Sequence, residues 1–250
     1  MMKYLHNIQS EWLKTKRSSA SWLCLAGGFF LPVLYFIGFL KEQSSINAYK
    51  TDIWETYFMQ SWQNMAVFLL PMGVILATSL ITQIEIKNNT WKQVHATPQS
   101  YITIYFSKFA VILLMTLKFF IFFNIGILLS ATIPCLLFSN ELPKENLPVI
   151  YFLKWNVKFF ITCLPILAIQ YLLSLHFKNF MISIGIGLAG LIGSLIGLGW
   201  KYIYLSPYVY TTLTKSILKI EFNVYLYAII YTVIMLVINL GFYLNKKDKS

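Results

Sequence analysis

The chain has 250 residues, 58% of them hydrophobic and only 12% charged, with a formal net charge of +11. A water-soluble domain carries about a quarter charged residues, so this composition excludes a water-facing surface and fits a chain whose main solvent is lipid. The basic residues do not gather with aromatics on a soluble domain, which excludes a nucleic-acid-binding module, and their position beside apolar runs explains the charge.

Residues 2–17 come first in chain order. Leu5, Ile8 and Trp12 fall at i, i+3 and i+7, with Lys3, Glu11 and Lys14 on other faces. That spacing predicts an amphipathic helix lying in the membrane interface; the alternative is a basic tether. The apolar stretch that follows resembles a signal peptide at its start. It is as long as a membrane span and no small-x-small cleavage site follows it, so a retained first helix is expected.

A helix needs about 20 apolar residues to cross roughly 30 Å of hydrocarbon. Segments near 20–40, 62–84, 109–133, 157–177, 180–200 and 223–244 meet this requirement. The expected fold is therefore all-α, a polytopic membrane protein with six transmembrane helices behind the interfacial one. In the third and fourth segments apolar character begins early, near Ile102 and Val149. Connections are short, so residues 1–250 read as one transmembrane domain. Six crossings put both termini on one side, with Lys14, Lys16, Arg17, Lys87, Lys92, Lys178, Lys246 and Lys247 close to span ends there. Lys41, Lys50, Lys144, Lys154, Lys158, Lys201, Lys215 and Lys219 fall on the other side. The denser basic side is expected to be cytoplasmic.

Catalytic motifs are missing from the sequence. There is no GxxxxGK[ST] phosphate loop, no HExxH and no GxSxG, so ATP hydrolysis, zinc proteolysis and serine-hydrolase chemistry have no recognisable machinery. His6, His95 and His176 are scattered singly, and Cys24, Cys135 and Cys163 lie in separate apolar or membrane-edge segments without a CxxC pair. No metal, cofactor or catalytic residue is expected.

Several residues inside or beside the spans stand out. Gly185, Ala189, Gly193 and Gly197 repeat every four residues in the fifth span. In lipid, that spacing lets two helix backbones approach closely, either within the chain or between two copies. Lys118 lies well inside the third span, where it faces a polar cavity or partner, or else snorkels to the surface. Asn124, Gln170 and Asn239 are candidates for hydrogen bonds between helices. Pro32, Pro71 and Pro165 are expected to kink helices or mark broken ends. In the connection after the second span, Asn89 or Thr90 can cap a short helix starting near Trp91 that ends at Thr97-Pro98. Trp91 then docks into a soluble partner or sits among headgroups.

The order of these features resembles a known family. Glu11-Trp12-Leu13-Lys14-Thr15-Lys16-Arg17 precedes six spans, Glu85…Asn89-Thr90-Trp91-Lys92…Thr97-Pro98 follows the second, and Leu173-Ser174-Leu175-His176-Phe177-Lys178-Asn179-Phe180 leads into the fifth. The pattern resembles permease subunits of type-2 ABC exporters, particularly those of lantibiotic-immunity transporters, over essentially the whole chain. The resemblance implies a multi-pass protein of the cell (cytoplasmic) membrane, paired with a second copy or a homologous permease. It implies a separate cytoplasmic ABC ATPase, contacted by the first helix with Trp12 and by Glu85, Asn89, Thr90, Trp91 and Lys92. It also implies that spans one and five line the seam between permeases, and that a hydrophobic or bacteriocin-like peptide substrate is expelled. The large extracellular domains of some relatives are missing here. A non-transporting scaffold is the main alternative. An intramembrane enzyme would need acidic, His or Cys clusters at membrane depth, which the sequence lacks.

Overall fold

The computed structural model describes residues 2–41, 53–87, 100–138, 146–177, 179–215 and 222–245. Among them every regular element is helical. The principal helices are α1 (Met2–Thr15), α2 (Ser19–Lys41), α3 (Ile53–Asn64), α4 (Leu70–Lys87), α5 (Tyr101–Phe138), α6 (Val149–His176), α7 (Phe180–Ile196), the short α8 (Tyr210–Leu213) and α9 (Val224–Asn245). A π-turn, Met65–Leu69, joins α3 to α4. Six helical stretches are long and apolar enough to cross a membrane: Ser19–Lys41, Trp54–Ile84, Tyr101–Leu137, Val149–His176, Phe180–Gly199 and Val224–Leu244.

Three of these stretches start earlier than the segment bounds given above, the third and fourth of them where apolar character already begins, near Ile102 and Val149. The second begins at Trp54 rather than near 62, the third at Tyr101 rather than near 109, and the fourth at Val149 rather than near 157. The extensions of the second and fourth stretches pack on each other through aromatic rings. Phe58 stacks on Phe152 with ring centroids 3.9 Å apart. Trp62, fully buried, stacks on Phe159 at 4.7 Å and meets Phe120 and Phe123. At the other end of α5, Ser100 caps the helix, its hydroxyl accepting from the Thr103 amide at 3.2 Å.

Pro71 explains the π-turn. Proline has no N–H to continue the helical ladder, and one residue before it the Leu70 amide donates instead to the Met65 carbonyl, five residues back.

The cross-contacts reveal how the helices run. Ser21, Gly28 and Pro32 of α2 meet Lys118, Phe122 and Gly126 of α5 in the same order, so α2 and α5 are parallel. Phe58, Trp62 and Ser79 meet Phe152, Phe159 and Ser174, so the second and fourth spans are parallel too. Asn124 and Tyr105 of α5 meet Asn156 and Tyr171 of α6 in reverse order. Odd spans thus run one way and even spans the other. The start of α2 and the end of α9 consequently share one end of the bundle, and α1 lies there, along the first turns of α5.

Two devices hold the helices together. The first is close backbone approach. A Cβ on Gly28 would lie 2.9 Å from Phe122 Cβ and 3.3 Å from the Phe119 carbonyl oxygen, and one on Gly126 would lie 2.7 Å from the Pro32 ring. The second is buried hydrogen bonding. Asn124 and Asn156 exchange two amide bonds, of 2.8 and 3.0 Å, between α5 and α6. Gln170 Nε2 donates to Ser79 Oγ at 2.7 Å and to the Ser183 carbonyl and hydroxyl at 3.0 and 2.9 Å, clasping α4, α6 and α7. Ser174 and Ser183 pair at 2.9 Å in the same cluster.

Gly28→Ala and Gly126→Ala are each expected to lower stability by about 1–3 kcal/mol through overpacking, seen as a lower melting temperature in detergent. Gly241→Ala, on α9, where a new methyl meets open space, should leave it unchanged, and a comparable loss there contradicts the packing. Gln170→Leu removes the clasp and should cost about 1–2 kcal/mol, near the upper end measured for hydrogen bonds between membrane helices, in the same assay.

Candidate coupling face and helix seam

Of the residues singled out for coupling, Trp12 and Glu85 fall on described elements, α1 and α4, at the end of the bundle where α2 starts and α9 ends. Trp12 lies on α1, half-buried against the apolar core, while Leu5 and Leu13 remain exposed. The helix is short and would drift if held by Trp12 alone. It is fixed by polar contacts: Tyr4 donates to the Phe106 carbonyl at 3.3 Å, and Glu11 pairs with Lys108 at 3.6 Å and with Lys14 at 2.5 Å. Lys108 is buried, with its side chain about 6% exposed. An ion pair shielded this far from water is screened little by salt, so α1 is tied to α5 more firmly than an exposed pair would tie it.

The joint from α1 to α2 is also ordered. Thr15 and Ser18 back-bond to the carbonyls of Trp12 and Thr15, both at 2.8 Å. The Ser21 amide returns to Ser18 Oγ at 3.4 Å. A push on α1 therefore reaches the first span across a capped joint rather than a slack linker.

Glu85 falls in the last turn of α4, which ends at Lys87. The serine clasp near the end of α4 meets the start of α7 and the end of α6, so the end of α4 belongs to the same end of the bundle as α1, and α1 touches α4. Asn89, Thr90, Trp91 and Lys92 lie outside the described residues, as does the predicted short helix after them.

Lys118 sits in α5 with its ammonium 2.6 Å from Ser21 Oγ, in the first turn of α2, and 5.5 Å from the centre of the Phe122 ring. Its charge is thus met by a hydroxyl and a ring face.

The fifth-span stripe faces outward. Gly185 and Gly193 have no atom within 4 Å of a built Cβ, and Gly197 meets only Ile203 at 4.0 Å. Ala189 is exposed. The glycines of α7 that do pack inside the chain are Gly187, whose Cβ would lie 2.5 Å from Gln170 Oε1, and Gly190, whose Cβ would lie 2.8 Å from the Tyr208 ring. The sequence reading missed both, together with Gly28 and Gly126. None of the four belongs to the four-residue repeat; each is needed where one bulky neighbour comes close. The partners Asn156, Ser79, Ser174 and Ser183 also escaped notice, because a lone Ser or Asn in a span carries no signal until its partner helix is known.

The chain matches the family model described as ABC-2 family transporter protein over residues 7–194. No curated protein and no solved structure matches it. The matched stretch runs from within α1 through nearly all of α7, and so takes in Trp12, the end of α4, and Gly185, Ala189 and Gly193 of the outward stripe, with Gly197 just beyond it. With six apolar spans behind an amphipathic first helix and a match across most of its length, the chain belongs to the ABC-2 transporter family: it is a multi-pass membrane subunit of an ABC transporter, whose partner is an ABC ATPase.

Proposed function

We propose that this chain is the permease subunit of an exporter in the cytoplasmic membrane, one transmembrane domain over residues 1–250 with both termini cytoplasmic. ATP is hydrolysed by the separate ATPase subunit alone. The substrate is hydrophobic or a peptide of the bacteriocin or lantibiotic type. The observation that carries this reading is the gathering of α1, tied to α5 through Glu11 and Lys108, with the end of α4 that bears Glu85 at the end of the bundle where the termini lie.

Mechanism follows from that juxtaposition. Closure of the ATPase moves whatever it grips on this face. Trp12, Glu85 and the segment Asn89, Thr90, Trp91 and Lys92 form the grip. Motion of α1 passes to α2 through the capped joint and to α5 through the ion pair, and motion of the α4 end passes to α6 and α7 through the Gln170 clasp. Both routes bias the same two arrangements of the bundle, which is the requirement for coupling. Lys118 keeps spans one and three in register through Ser21.

A second permease, either a copy of this chain or a homologue, covers the outward stripe of Gly185, Ala189, Gly193 and Gly197. In lipid the gain comes from backbone proximity rather than from apolar burial, and small residues with no intramolecular neighbour suit such a seam.

Trp91→Ala and Glu85→Lys are expected to reduce ATP-driven export or resistance by at least about fivefold, the lower range of typical coupling energies, with unchanged membrane insertion in a fractionation assay. Normal transport by both variants removes the coupling assignment. Gly193→Cys should form a crosslinked dimer on mild oxidation if the partner is a second copy. The native cysteines are buried and give a low background. A crosslink only to a co-expressed homologous permease points to a heterodimer, and no crosslink to either rejects the seam.

A further inference from the structure

At the end of the bundle away from the termini, two lysines share one indole. Lys158 Nζ lies 4.1 Å from the centre of the Trp155 ring, and Lys215 Nζ lies 4.9 Å from it. Lys158 also faces Tyr225, in the first turn of α9, at 5.7 Å. The charges of Lys154, one turn earlier on α6, and of Lys215 both act on Lys158. No carboxylate of a described residue pairs with any of the three.

This arrangement is built rather than accidental. Lys215 follows α8, and two bonds position that segment: Thr214 Oγ1 donates to Thr162 Oγ1 at 2.9 Å, and Gln63 Nε2 donates to the Lys215 carbonyl at 3.3 Å. The segment therefore holds an ammonium against a ring already occupied by another. Ring faces attract cations, but they do not cancel the repulsion between two like charges. An anion between them does.

Depth narrows the choice of anion. α9 has 22 residues, about 33 Å, close to the roughly 30 Å thickness of the hydrocarbon. Lys158 faces the first turn of α9, so the cluster sits at the edge of that span, where headgroups begin and where Trp and Tyr concentrate. Val157, Leu226 and Ile230 are exposed apolar residues on the same two helices, a surface that acyl chains cover.

We infer that Lys158 and Lys215, ordered by Trp155, bind the headgroup phosphate of an anionic phospholipid in the leaflet opposite the termini. The site rests on the six-span architecture and not on the exporter reading. A lipid held here packs against the α6–α9 pair and the α8 connection, and makes stability depend on lipid charge.

Native mass spectrometry of the purified chain tests this, with phosphatidylglycerol and phosphatidylcholine of identical acyl chains as probes. The wild type should retain phosphatidylglycerol preferentially, and Lys158→Gln with Lys215→Gln should weaken that preference by roughly tenfold. Arginine at both positions should keep it, and Lys201→Gln, earlier in the same connection but facing Tyr202 rather than Trp155, should leave it unchanged. Excess inorganic phosphate should not displace the lipid. Equal retention of the two lipids by the wild type, an unchanged preference in the double glutamine variant, or displacement by free phosphate overturns the proposal.

Discussion

Inside a bilayer the hydrophobic effect no longer separates the interior of a helix bundle from its surroundings, because lipid is as apolar as leucine. Everything else in this structure depends on what replaces it. Here the replacement is twofold: glycines that let a neighbouring helix or a bulky side chain come close at Gly28, Gly126, Gly187 and Gly190, and polar side chains that find partners across helices at Asn124–Asn156 and Gln170–Ser79–Ser183. The aromatic cluster around Trp62 adds dispersion and ring-edge contacts where three spans run on together. Exposed apolar residues such as Phe30, Ile121 and Val237 are then ordinary lipid-facing surface.

The same polar contacts give the bundle its directional organisation. Hydrogen bonds and an ion pair link α1 to α5, α4 to α6 and α7, and α2 to α5. These are stiff, geometrically defined joints between helices that otherwise slide easily past one another. In a subunit driven by a partner ATPase, such joints decide whether a push at one end is transmitted or absorbed. The end with the termini carries the joints that suit coupling, whereas the far end carries paired lysines and aromatics suited to lipid headgroups.

Much of this architecture was legible in the sequence because its cause is local. Twenty apolar residues in a row imply a span whatever the neighbours are, and the amphipathic spacing of Leu5, Ile8 and Trp12 implies a face. Asn124 and Gln170 could be flagged because an amide in lipid needs a partner. What remained hidden depends on distant residues. The early start at Trp54 accompanies aromatic packing of Phe58 and Trp62 on α6, whereas those of the third and fourth spans were already visible as apolar character near Ile102 and Val149. The π-turn before Pro71 shows that a proline can be absorbed without a break. The choice of Gly187 over Gly185 for internal packing turns on which face of α7 meets Gln170, a fact no periodicity contains. Of the candidate site, Trp12 and Glu85 occupy elements that meet at one end, while Asn89, Thr90, Trp91 and Lys92 lie outside the described residues.

The central claim is that this chain supplies the membrane path and a partner supplies the energy. The most direct test is ATP hydrolysis in lipid nanodiscs by the purified chain alone, by its ABC ATPase partner alone, and by the assembled complex. The account predicts no turnover from the chain alone, turnover from the ATPase, and a changed rate on assembly. Nucleotide hydrolysis by this chain in isolation, or an ATPase rate indifferent to its presence, would contradict it.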